Sequence, residues 1–83
     1  VKKRQVVCVD WVDAVAGIGW TDDVGENRLS YCRSIGLVVS ETKDAIALAG
    51  SWSTDEPVGE PPTTNNRIVI PKAWIKKRKV VKL

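Results

Sequence analysis

Apolar residues recur at every second position over most of the chain. In residues 3–12 (KRQVVCVDWV), Val7, Val9 and Trp11 share one side, and Val6, Cys8, Asp10 and Val12 share the other. That period predicts a strand, and since neither side is wholly polar, both faces are expected to be partly covered. Residues 16–27 (AGIGWTDDVGEN) break the alternation with glycines and acids and read as a loop. A second strand over 29–40 (LSYCRSIGLVVS) sets Tyr31, Arg33, Ile35, Leu37 and Val39 on one side. Gly36 interrupts it, and a glycine inside a strand marks a bulge, a bend or a close backbone approach.

Residues 41–44 (ETKD) read as a hairpin connection into a third strand, 45–53, with Ile46, Leu48 and Trp52 facing one way. Alanine and leucine would also suit a helix, but the strict alternation favours the strand. The opposite face, Ala45, Ala47, Ala49 and Ser51, is uniformly small and suits close contact with a second copy of the chain. Residues 54–66 hold three of the four prolines and read as an exposed loop. RIVI (67–70) makes a fourth strand, PKAW a single helical turn, and KKRKVVKL (76–83) a basic fifth strand, with Ile75 returning to the core. With no repeat or internal linker, residues 1–83 are read as one domain. Five strands with one helical turn before the last resemble the small antiparallel β-barrel of Src-homology and Sm-like domains, an all-β fold. IPKAWI (70–75) is similar to the Ile-Pro-x-x-aromatic-aliphatic stretch at that crossover. An open antiparallel sheet that closes only against another copy is the structural rival.

Composition narrows the chemistry. The chain of 83 residues is 43% hydrophobic and 28% charged, which is globular rather than disordered. It contains no histidine, which removes the commonest general base, the Ser-His and Cys-His dyads and the usual zinc sites. Asp10 and Asp13, three residues apart, point to opposite faces of a strand unless the strand ends between them, so a working carboxylate pair is not expected. No catalytic residues, cofactor or metal are therefore expected. Cys8 and Cys32 are too few for a metal site, and the basic N-terminal residues lead into an alternating run rather than an apolar leader. A cytosolic protein with free thiols and no membrane span is expected.

Charge is unevenly spread. Residues 1–9 carry +3, residues 10–60 carry −7, and residues 61–83 carry +7. If the two ends pair, Lys76, Lys77, Arg78 and Lys79 join a basic stripe that suits a phosphate backbone, or simply protects a sheet edge. Four of the five aromatic residues are tryptophan. Trp11 and Trp74 sit among apolar neighbours and are expected in the core. Trp20 and Trp52 stand at loop edges, where an indole serves as a lid or as a stacking platform for a planar ring. Arg28 and Arg33 could meet phosphate or bridge to neighbouring acids.

The order of DWVD (10–13), GW (19–20), CRSIG (32–36), DAIALAGS (44–51) and IPKAWI resembles that of very small proteins encoded by tailed bacteriophages and prophages. The resemblance implies a viral protein acting in the cytoplasm of a bacterial host. One class of such proteins acts as oligomeric anti-defence sponges, which bind an immune nucleotide signal without cleaving it. On that analogy the expected function is sequestration of a nucleotide-type ligand by a homo-oligomer. Trp20 or Trp52 would stack on the base, Arg28 or Arg33 would meet phosphate, and Asp10, Asp13 or Ser34 would take ribose hydroxyls. Two alternatives stay open: a nucleic-acid-binding barrel using its basic last strand, and a modulator of a host protein.

Overall fold

The computed structural model describes residues 4–14 and 29–83. Its strands are β1 (Val6–Asp13), β2 (Ser30–Glu41), β3 (Ala45–Trp52), β4 (Thr64–Pro71) and β5 (Ile75–Val81), with a 3-10 turn over Lys72–Trp74. All pair antiparallel in one sheet of order β4-β3-β2-β1-β5. The all-β expectation holds, including the single turn before the last strand. The sheet is nevertheless not closed: β4 and β5 are both edges, joined by the turn and not by a ladder.

The sheet curls because of what its concave face must bury. Val7, Val9 and Trp11 from β1 pack in one cluster with Ile46 and Leu48 from β3 and Ile70 from β4. In a flat sheet β1 and β4 would lie roughly 14 Å apart, three strand spacings, beyond the reach of these side chains. Cys32, Val38 and Ile75 pack against the cluster. On the convex face Val6, Leu37 and Ala49 stand opposite one another and are also buried, so β1 is covered on both sides at its Val6 end and partly covered beyond it.

The curl is made in β2. Its first part, to Leu37, pairs with β1, and its last part, from Leu37 to Glu41, pairs with β3. At the changeover a Cβ on Gly36 would lie 2.5 Å from the Ala49 carbonyl oxygen and 3.2 Å from the Leu48 Cβ. Glycine is required there by contact with backbone. The ladder then gains an extra residue at Val39, between Val38 and Ser40. The Arg4 guanidinium answers the bulge by donating to the carbonyls of Val38 (3.1 Å) and Val39.

One carboxylate ties the two open edges together. Glu41, at the end of β2, accepts two hydrogen bonds from the Arg78 guanidinium of β5, at 2.9 and 3.1 Å. Its Oε2 also lies 2.7 Å from Lys72 Nζ, on the turn that follows β4. The Lys72 N–H donates to the Asp44 carbonyl at 2.8 Å, fixing the same turn to the β2–β3 connection. These contacts span the gap that ladder hydrogen bonds leave between β4 and β5.

Two expectations need correction. Trp74, read as a core residue, is 40% exposed on the 3-10 turn. The fourth strand begins at Thr64, not Arg67, because Trp52 and Ser51 pair with Thr64 and Asn65. Asn66 adopts a positive φ of 57°, a left-handed conformation that asparagine tolerates. The proline-rich connection is correspondingly short and is gathered by Glu56, which accepts from Ser53 Oγ and from the N–H and Oγ1 of Thr63. Of the small row on β3, Ala49 is fully buried within the protomer, leaving Ala45 and Ala47 half-buried.

Replacing Gly36 by alanine should cost about 1–3 kcal/mol, the usual penalty of overpacking, because the added methyl meets a backbone oxygen. Chemical denaturation checks this, and an unchanged midpoint would place the bend elsewhere. Arg78 and Lys72 hold the Glu41 carboxyl down at about 2, against an ordinary 4.5. A depressed carboxylate contributes stability above its unfolded value and loses it as pH falls through the folded one. Stability should therefore fall between about pH 4.5 and 2, and Glu41→Gln should remove that contribution to the acid limb while lowering stability at neutral pH. Denaturation midpoints measured across that range test it.

Candidate functional site

The described residues among those expected to form a nucleotide pocket lie at several places on the sheet. Trp20 and Arg28 lie outside the described residues. Asp10 and Arg33 are directly opposite on β1 and β2, and their side chains face outward as a side-on pair. Arg33 Nε donates to Asp10 Oδ1 at 2.6 Å and Nη2 donates to Oδ2 at 3.1 Å. Those hydrogen bonds, with Lys77 nearby, hold the Asp10 carboxyl below its ordinary value. Ser34 is the next residue along β2 and therefore faces the concave side, where its Oγ accepts from Trp11 Nε1 at 3.0 Å. Asp13 ends β1 and accepts the Ala14 N–H at 2.8 Å.

Trp52 is half-buried on β3, where it lines a groove of about 920 Å³ between the proline-rich connection and the bulge of β2. Most of the charged groups in that groove are already engaged within the protein. Arg78 is spent on Glu41, Arg4 on the Val38 and Val39 carbonyls, and Glu56 on Ser53 and Thr63. Both arginines are thus engaged, and the acids Glu41, Glu56 and Glu60 line the same walls. Such a groove opposes a phosphate.

The convex face of β2, β1 and β5 has the opposite character. The two ends of the chain do pair, with Val6 opposite Val81, Cys8 opposite Lys79 and Asp10 opposite Lys77. Lys77 and Lys79 therefore project from the same face as Asp10 and Arg33. The register slips between Asp10 and Trp11, so that Trp11 faces Ile75 and Lys76 becomes the extra residue. Lys76 consequently borders a shallow cavity of about 360 Å³ together with Asp10, Tyr31 and Arg33. Tyr31 stands opposite Val12 and is 81% exposed; Ile35, four residues further along β2 on the same face, is also exposed. Arg78 belongs to a different group: opposite Val9, it faces the concave side and reaches Glu41.

Tyr31 is the member of this surface that the sequence reading did not single out. Its signal was the two-residue spacing to Arg33, which puts the ring and the guanidinium on one face of any strand. Which face lies outward depends on how the neighbouring strands pack. Cys8 and Cys32 are both free thiols, on opposite faces. Among the described residues no cluster of potential metal ligands occurs, and no helix is long and apolar enough to cross a membrane. Comparison with known proteins found no matching family model, no matching curated protein and no matching solved structure.

Proposed function

We propose that the protein binds nucleic acid on the convex face of β5, β1 and β2. One observation carries this reading: pairing of β1 with both β5 and β2 sets Lys77 and Lys79 on the same convex face as Arg33 and the exposed Tyr31, with Lys76 bordering the cavity that Tyr31 and Arg33 line. In the sequence Tyr31 is far from the lysines of β5, whereas the sheet brings them to one face. Lysines along a strand supply mobile cations for a phosphate backbone, and their worth comes largely from releasing counterions. The Asp10 carboxylate offsets only part of that charge, being already matched by Arg33. If the resemblance to phage proteins holds, such a surface would work among viral and host nucleic acids in a bacterial cytoplasm. Sequestration of a nucleotide-type ligand has less support, since the described residues assigned to it lie on both faces and at both ends of the sheet.

The affinity for a short oligonucleotide should fall with salt, by a slope of roughly 0.7 per neutralised phosphate. Changing Lys76, Lys77 and Lys79 together to serine should reduce the magnitude of that slope by about 2 and remove most of the affinity. Arg78→Ser should instead lower stability, because it releases Glu41. Fluorescence anisotropy across a salt series reads both effects. Unchanged binding by the triple variant would mean that these lysines only guard a sheet edge. A mononucleotide bound as tightly as the oligonucleotide would favour the sequestration reading instead.

A further inference from the structure

Resting on that reading, we propose that the nucleic acid is single-stranded and that one unpaired base stacks on Tyr31 against the Asp10–Arg33 pair. The three strands divide the work across their width. β5 lies two strand spacings from β2, roughly 10 Å, with Lys77 on the rung of Asp10 and Arg33 and Tyr31 two residues beyond that rung. That separation is comparable to the reach of one nucleotide from its phosphate to the far edge of its base. A backbone running along the edge strand would therefore deliver its bases inward, over β1 and onto β2.

The shallow cavity at the end of this path has the chemistry of a base site more than of a phosphate site. Tyr31, an 81% exposed residue, forms one side, and Val12 stands opposite it. Asp10 places a carboxylate in the cavity, which would repel a phosphate held there. The same carboxylate spends one lone pair of each oxygen on Arg33 and keeps others to accept an N–H of a base. The guanidinium beside it presents its remaining N–H groups as donors. Adjacent acceptors and donors match the hydrogen-bonding edge of a nucleobase, and an exposed ring matches its face. In a duplex both are already used, the edge in pairing and the face in stacking on neighbouring bases. Only an unpaired base can offer both at once. Lys76 lies at the rim, where it can meet the phosphate of the same nucleotide.

The test compares a short labelled oligonucleotide of mixed sequence with the same strand annealed to its complement. It uses the wild-type chain, Tyr31→Ala and Tyr31→Phe. The wild type should bind the single strand about tenfold more tightly than the duplex, the effect of one base–aromatic stack. Tyr31→Ala should lose that preference while keeping its duplex affinity, and Tyr31→Phe, which keeps the ring, should retain the preference. Equal affinity of the wild type for both forms, or an equal loss on both in Tyr31→Ala, overturns the single-strand assignment. Lysine-dependent binding to both forms would still uphold the phosphate-binding face. Binding to neither form would instead remove the nucleic-acid reading on which this inference rests.

Discussion

The close approach of β3 to β2 at Gly36 is the constraint from which the rest of the structure follows. A twelve-residue strand serves two neighbours in succession, and it can do so only by bending where the backbone of Ala49 passes over it. Any side chain at that point would hold the strands apart. Once β2 bends, Val7, Val9 and Trp11 come within reach of Ile46, Leu48 and Ile70, and burial of that cluster supplies the main driving force. A small chain has few such side chains to spare, so the single contact that lets them meet matters more than it would in a larger domain.

Curling in one direction decides what the other side displays. Most of the large apolar residues of β1 and β3 on the concave side are drawn into the cluster, and Tyr31, Arg33, Ile35, Lys77 and Lys79 stay accessible on the other side. The open gap between β4 and β5 is spanned by Glu41, which holds Arg78 and Lys72. That contact divides the basic end of the chain into two kinds of cation. Arg78 is committed to the fold, and Lys76, Lys77 and Lys79 stand on the surface. A charge count treats the four alike; the alternation of the strand separates Arg78 from Lys77 and Lys79 at once.

Much of the architecture was legible in the sequence because strand periodicity, turn residues and one mid-strand glycine all agreed. Val7, Val9 and Trp11 shared a face in the alternation and share the core in the structure. Closure was harder to read, since edge pairing between β4 and β5 depends on curvature summed over five strands and not on any local signal. Trp74 misled because a 3-10 turn lifts its ring toward solvent despite apolar neighbours. The candidate site was less legible still. Asp10 and Arg33 were singled out separately, but their pairing depends on register, which a sequence fixes only through the packing of one face. Ser34 lies on the face opposite to Arg33, one residue along, the smallest step a strand allows. Tyr31 gained its meaning only when β5 arrived beside β1 with its lysines.

Mapping of backbone amide shifts during titration with a short single-stranded oligonucleotide tests the binding face most directly. The perturbed amides should concentrate at Asp10, Val12, Tyr31, Arg33, Lys77 and Lys79, with those of Trp52, Ser53 and Glu56 unmoved. Perturbations confined to the groove around Trp52, with the convex face silent, would contradict it.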